Sequence, residues 1–368
     1  MHTTAKELER RFVAAAADWD AAQRIPDDVI RWCAEHGLLG ACLPKRYAGT
    51  DCHGEQLQAM FESLGAVGGS LGSVVNVQHM VIRALMCGAS DAQKDALLPA
   101  LAAGGELASF CLTEPSAGSD IEGIEAACDS TPSGLRLRGT KRWITTGERA
   151  TIFLVFARMN GAAVALLVPR STPGVQVTPI RDVLGLRSAH LAQLDFDCML
   201  PESAMVGKPG FALSFIAAQG LLHGRMNVAW MACGMLRATV EGLAHWASSR
   251  ELFGSRLVDK GQVRAALTQM GVDLAAGRAL AAQASKALAA KDATMSDRVL
   301  AAKYFCTRAA AQHTATAVRL CGAVGCHEPS GLARYYRDAK VFEVVEGANE
   351  VLEMLLGPAF AREHTNAT

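Results

Sequence analysis

The chain has 368 residues, half of them hydrophobic and a fifth charged, with 36 Lys+Arg against 36 Asp+Glu. Such a composition buries a large core and excludes a disordered chain. A formal net charge of zero offers no general attraction to phosphate backbones or anionic lipid, which argues against nucleic-acid and peripheral membrane partners.

Met1 to Asp20 is polar and lacks the apolar core of a signal peptide, and no run reaches the ~18 apolar residues needed to span a bilayer. The eleven cysteines form no CxxC pair in a chain too long to need disulfide staples, and they read as reduced thiols. The expectation is a cytoplasmic protein. No metal is expected, because Cys321 and Cys326-His327 lack paired ligand spacing.

From Lys6 to about Ala108 apolar residues recur at helical spacing. Val29, Ile30, Cys33 and Leu38 follow a start signal at Pro26-Asp27-Asp28, and Leu97, Leu98 and Leu101 come later. Between Ala108 and Met205 the pattern turns to short β-rich runs at 134–138, 151–156, 163–168 and 193–196. Turn signals such as Thr131-Pro132-Ser133-Gly134 separate them, and a small antiparallel barrel or sandwich fits. After Lys208-Pro209-Gly210 come four long segments rich in Ala, Leu and Met, at 212–249, 262–290, 296–320 and 330–355, the pattern of a four-helix bundle.

The fold class is therefore α+β: an N-terminal helical domain (1–108), a middle β domain (109–207) and a C-terminal helical bundle (208–368). No βαβ alternation occurs and no GxGxxG follows a strand, so a nicotinamide site has no support.

The densest polar cluster in apolar surroundings is Phe110-Cys111-Leu112-Thr113-Glu114-Pro115-Ser116-Ala117-Gly118-Ser119-Asp120, at the first helix-to-β junction. Its hydroxyls and small residues suit a phosphate or the polar edge of a flat heteroaromatic ring. By themselves such Ser, Gly and Pro clusters more often form only an ordinary polar turn. Three further blocks follow: Gly139-Thr140-Lys141-Arg142-Trp143-Ile144-Thr145-Thr146-Gly147; Arg250-Glu251-Leu252-Phe253-Gly254 with Gln262; and Arg337-Asp338-Ala339-Lys340 followed by Val345-Glu346-Gly347.

In this order and spacing the four blocks resemble the acyl-CoA dehydrogenase family over nearly the whole chain. The resemblance implies an FAD-dependent oxidoreductase that acts on an acyl thioester. It implies that Phe110, Leu112, Thr113, Trp143, Ile144 and Thr145 meet the flavin, and that Gly118 and Ser119 lie at the pyrophosphate, with Ser119 also beside substrate. It implies that Arg250, Phe253, Gln262, Arg319 and Gly322 reach the FAD of a neighbouring subunit in a homodimer or homotetramer. It implies that Ala348 and Glu350 flank the cofactor. Each has an ordinary alternative as a core, turn or surface residue, and for Trp143 that alternative is packing.

By the same resemblance Glu346 is the catalytic base. It takes the α-proton while hydride leaves Cβ for the flavin, and its backbone N–H and a ribityl hydroxyl hold the thioester oxygen. Its apolar setting, Val344-Val345-Glu346-Gly347, favours a raised carboxyl pKa; otherwise it is a capping or ion-paired carboxylate. Arg225 and Gly347 join it in substrate binding. Some family members carry the base at the position of Gly224, which here has no side chain to serve.

The chain departs from the family pattern at Ala348, Val345, Glu350, Arg319 and Leu222, where Thr, Tyr, Gln, Gln and Asp are usual. These changes shift expectation away from a plain fatty acyl-CoA dehydrogenase. They favour the members linked to acyl carrier proteins in polyketide and other antibiotic pathways, which make hydroxymalonyl or methoxymalonyl extender units. The expected reaction is then C3 oxidation of a small 2-hydroxyacyl thioester. Alternatives are a short- or medium-chain acyl-CoA dehydrogenase passing electrons to an electron-transfer flavoprotein, a flavin oxidase on the same scaffold, and a non-catalytic helical scaffold protein.

Overall fold

The computed structural model describes residues 1–327 and 330–365. The N-terminal layer contains α1 (His2–Phe12), α2 (Ala16–Ala22), α3 (Asp27–Glu35), α4 (Glu55–Val67), α5 (Gly69–Gly88) and α6 (Asp91–Ala102). Pro26 sets the entry to α3 with φ −62°, and Asp27 and Asp28 place negative charge in its first turn. A capping box starts α6: Ser90 Oγ accepts from Gln93 N–H while Gln93 accepts from Ser90 N–H.

Eight strands follow: β1 (Ala108–Cys111), β2 (Ala127–Thr131), β3 (Gly134–Ile144), β4 (Ile152–Met159), β5 (Ala162–Pro169), β6 (Val175–Pro179), β7 (Ala192–Leu200) and β8 (Met205–Val206). They form one sheet in the order β6-β7-β3-β2-β4-β5-β8, with β1 beside β4. Hairpin neighbours pair antiparallel as expected, but β4 runs parallel to both β1 and β2. That corrects the purely antiparallel expectation. The chain enters β1 from α6 and returns to β4 only after a long excursion through β2 and β3, and such crossovers are what parallel pairing requires.

The last layer is α7 (Ala218–Ser249), a hairpin of β9 (Glu251–Leu252) and β10 (Ser255–Arg256), then α8 (Gly261–Ala290), α9 (Met295–Cys321), α10 (Ala323–Cys326), α11 (Leu332–Phe342) and α12 (Asn349–Thr365). The segment expected as one helix over 330–355 is broken between Phe342 and Asn349. Residues Glu346 and Gly347 there adopt φ of 57° and 100°, a backbone that no α-helix accommodates.

The two helical layers share one core. Residues of α1 to α5 such as Leu8, Phe12, Phe61 and Leu64 pack with Met231, Leu236, Cys306 and Phe342 of α7, α9 and α11. A second cluster joins α5 and α6 to one face of the sheet and to the start of α7, while a third fills the sheet's other face. All eleven cysteines are free, and among the described residues no helix is long and apolar enough to cross a membrane.

Two buried polar networks fix the fold, one inside the sheet layer and one between layers. Lys141 Nζ lies 2.6 Å from Glu114 Oε1 with both side chains enclosed, and the same carboxylate accepts from Glu125 N–H and Ala126 N–H. Asp338 accepts from Gly69 N–H and Leu186 N–H, while Arg337 Nη2 reaches Asp20 at 2.5 Å. Removing one member of a buried pair leaves the other charge uncompensated. Glu114→Ala is expected to lower stability by about 3–5 kcal/mol, seen as a lowered urea unfolding midpoint against wild type in the FAD-loaded protein.

Candidate active site

The turn between α11 and α12 points the Glu346 carboxyl into the seam between α5 and α7. Three hydrogen bonds to main-chain carbonyls shape it: Arg225 Nε to Glu346 O at 2.8 Å, and Lys303 Nζ to Gly347 O at 2.8 Å and Glu343 O at 3.2 Å. Lys303, fully buried on α9, also donates to Asn349 Oδ1 at 3.0 Å, and Thr307 donates to the same oxygen. A buried turn outside regular structure must satisfy its carbonyls in this way.

Glu346 retains some solvent-accessible surface as a residue, but its carboxyl is surrounded by protein. Burial raises its pKa to about 7, against the opposing influence of Arg225 and Lys303. Burial also depresses Lys303 to about 7, with Glu346 acting to raise it and Arg225 to lower it, and burial lowers Arg225. Asn76 Nδ2 approaches Glu346 Oε1 at 3.5 Å, and Asn227 Nδ2 donates to Asn76 Oδ1 at 2.9 Å. The carboxylate thus has no side-chain ion pair within 4 Å among the described residues. The Glu346 N–H has no protein acceptor among them either.

Gly224 lies directly beneath. A Cβ added there would stand 3.2 Å from Glu346 Cδ and 2.8 Å from Met80 Sδ, so this position makes room for the carboxyl. One turn earlier, a Cβ on Gly220 would meet Phe110 Cε2 at 2.7 Å, which places the end of β1 one turn of α7 from the Glu346 carboxyl.

At that edge two of the sequence blocks come together. Arg142 N–H donates to Thr113 O at 3.0 Å and Ser109 Oγ donates to Thr145 O at 3.0 Å. The pairing of β3 with β7 shifts register between Lys141 and Ile144, a bulge that re-aims a side chain. Trp143 sits in it with φ 61° and its side chain half exposed, an arrangement unlike ordinary strand packing.

Phe110 and Leu112 are buried at this edge, whereas Ile144 has its side chain in the core of the sheet, leaving only its main chain to face a ligand. The hydroxyls of Thr113, Ser119 and Thr145 form no hydrogen bond to protein among the described residues, and Gly118 and Ser119 are exposed. Free hydroxyls and a presented indole fit the polar edge and plane of a flavin.

Other sequence candidates lie elsewhere. Arg250 is 26 residues along the chain from Gly224, about 39 Å at 1.5 Å per residue. Phe253 stands 91% exposed at the tip of the hairpin, with Gln262 exposed beyond it. Arg319 and Gly322, also exposed, end α9 roughly 24 Å from Lys303. None of the five belongs to this chain's own Glu346 site. Ala348 is half-buried beside Glu346, and Glu350 is exposed in the first turn of α12.

Sequence reasoning missed Asn76, Asn227 and Lys303. The available signal was a pair of amides, Asn76 and Gln78, inside the apolar run of α5 and a lone charge within Ala301-Ala302-Lys303-Tyr304-Phe305. A polar side chain surviving in a helix that packs on every side has a partner to satisfy.

A helical layer, a sheet and a helical bundle, with an enclosed carboxylate beside a flavin-shaped edge, form the arrangement of a flavoprotein dehydrogenase. Three family models match in order: acyl-CoA dehydrogenase N-terminal domain over residues 1–105, middle domain over 109–199 and C-terminal domain over 214–360. The chain belongs to the acyl-CoA dehydrogenase family, whose cofactor is FAD.

It is 28% identical to the mitochondrial short-chain specific acyl-CoA dehydrogenase of Rattus norvegicus, covering 97% of this chain and 88% of that protein. Butyryl-CoA dehydrogenase from Megasphaera elsdenii superposes with a TM-score of 0.93 at 26% identity, over 98% of this chain and 97% of that one. FkbI, for biosynthesis of the methoxymalonyl extender unit of the FK520 polyketide immunosuppressant, superposes with a TM-score of 0.89 at 27% identity. That match covers 100% of this chain and 99% of FkbI.

A base must be ionised to work, so the rate of anaerobic flavin reduction should rise with pH through about 7, the raised value for Glu346. Lys303 holds that value down. Lys303→Met should therefore move the rising limb to higher pH, a shift that lost folding alone would not produce in the surviving holoenzyme.

Proposed function

We propose that the chain oxidises a small acyl thioester carried on an acyl carrier protein, with Glu346 as proton acceptor. The observation that carries the chemistry is the enclosed Glu346 carboxyl, raised to about 7, next to its own main-chain N–H, which has no acceptor among the described residues. The end-to-end likeness to FkbI and the altered residues around the base support a carrier-bound 2-hydroxyacyl group, oxidised at C3 toward a hydroxymalonyl or methoxymalonyl extender unit.

The N–H of Glu346, without an acceptor among the described residues, donates to the thioester oxygen, which acidifies C2. Arg225 and Lys303 keep that donor and the carboxylate in one orientation. With a C3 hydroxyl present, the carboxylate takes the hydroxyl proton as hydride leaves C3, and the C3–O bond becomes a carbonyl. With an unsubstituted chain it takes the C2 proton as hydride leaves C3, and a C2=C3 bond forms. FAD, when bound, supplies the two-electron acceptor. Phe110, Leu112, Thr113, Gly118, Ser119, Trp143 and the Ile144–Thr145 main chain would hold it, with Ala348 and Glu350 flanking it. Ser119 also lies on the substrate side with Arg225 and Gly347.

Arg250, Phe253, Gln262, Arg319 and Gly322 serve the FAD of a neighbouring copy, because their distance along α7 and α9 removes them from this chain's own site. The protein is accordingly a homodimer or homotetramer that passes electrons to an electron-transfer flavoprotein or another acceptor. The second reading, a short- or medium-chain acyl-CoA dehydrogenase, is favoured by the likeness to the rat short-chain enzyme over 97% of this chain.

Anaerobic titration with matched acyl-carrier-protein and CoA thioesters separates the two. Flavin bleaching by the carrier-protein thioester alone supports the first reading, and preferential bleaching by acyl-CoA supports the second. Glu346→Gln should keep the yellow colour and lose bleaching by about 10²–10⁴-fold with either carrier. Unchanged bleaching in that variant would remove Glu346 as the base.

A further inference from the structure

Beneath Glu346 the seam between α5 and α7 is lined by amides. Asn76, 2% exposed, offers Nδ2 toward Glu346 Oε1 at 3.5 Å and toward Met80 Sδ at 3.7 Å. Its own Oδ1 accepts from Asn227 Nδ2 at 2.9 Å. Asn227 Oδ1 has no hydrogen-bond partner among the described residues. The amide chain therefore runs from a half-buried acceptor on α7, across the seam, to the catalytic carboxyl.

Behind the pair the seam is shut. A Cβ placed on Gly72, one turn before Asn76, would lie 2.3 Å from Met231 Sδ, one turn after Asn227, and a Cβ on Gly65 would lie 1.9 Å from Met231 O. The helices are thus in contact about 6 Å beyond the asparagines. An acyl group whose C2 sits at Glu346 therefore has the amides for a floor where α5 and α7 close at Gly72 and Met231.

We infer that Asn76 and Asn227 select short acyl groups bearing a hydroxyl at C2 or C3 and reject alkyl chains of the same length. The inference rests on the reading of this chain as an acyl thioester dehydrogenase. The 3.5 Å approach of Asn76 to Glu346 is long for a hydrogen bond, so a substrate hydroxyl can take that donor and keep the amide satisfied. A methyl or methylene in the same place desolvates donor and acceptor and returns nothing. A site built to bind a hydroxyl discriminates strongly against the analogue lacking it, and one unsatisfied buried amide group corresponds to about tenfold in affinity.

The test uses FAD-loaded holoenzyme and two acyl groups, 2,3-dihydroxypropionyl and butyryl, each attached to the same carrier. Anaerobic stopped-flow spectroscopy gives the rate of flavin reduction against substrate concentration. Wild type should favour the dihydroxypropionyl thioester by about tenfold or more in the rate constant over dissociation constant. Asn76→Leu and Asn227→Leu should each cut that preference, read as the ratio of the two substrates, by about tenfold.

Equal use of both thioesters by wild type would overturn the inference and leave the dehydrogenase reading standing. So would variants that weaken both substrates alike, the mark of a purely structural amide. Reduction by neither thioester would overturn both readings together. If Asn76→Leu fails to retain FAD, the half-buried Asn227→Leu and the wild-type preference decide.

Discussion

The left-handed turn at Glu346-Gly347 is the constraint on which the site depends. A non-glycine residue in that conformation costs on the order of 1–3 kcal/mol and persists only where its surroundings hold it. Here Arg225 and Lys303 do so by donating to the carbonyls of Glu343, Glu346 and Gly347. Because the two cations hydrogen-bond carbonyl oxygens, neither forms a direct ion pair with the carboxylate. A close arginine partner would drive a carboxyl pKa down; burial is left to dominate, and Glu346 stands near 7. One interaction set thereby shapes the turn, aims the side chain and leaves the carboxyl able to exchange a proton near neutral pH.

The remaining architecture brings other elements to that point. Helix α7 passes under the end of β1 at Gly220 and under Glu346 at Gly224, where the missing side chains allow close approach. The buried Lys141–Glu114 pair fixes the loop after β1 against β3, and Lys141 also donates to Leu112 O at 3.0 Å. That pairing holds Thr113 beside the bulge that presents Trp143. The Arg337-Asp338 motif does comparable work at a distance, since it joins α11 to α2, α5 and the loop before β7. Its signature residues act through packing and hydrogen bonding, with no side chain in the Glu346 site.

The same helix also explains why the candidate residues separate into two groups. Its length carries the β9–β10 hairpin far from Glu346, so Arg250 and Phe253 face outward. Apolar surface at a hairpin tip, as at Phe253, is surface suited to a partner.

The sequence alone determined the order of the three layers, because periodicity of 3.6 against 2 and turn residues at Pro132-Ser133-Gly134 are local properties. It also singled out Glu346, Trp143 and the Phe110–Asp120 run, since motifs are read from linear spacing. Tertiary structure alone decided the helix break before Asn349, because the cations that hold it stand on α7 and α9, more than forty residues away in each case. The parallel pairing of β4, the shared core of the first and last layers, and the amide floor of Asn76 and Asn227 were hidden for the same reason. Each depends on contacts between segments far apart in the chain, and hydrophobic pattern reports which face is buried without naming what covers it.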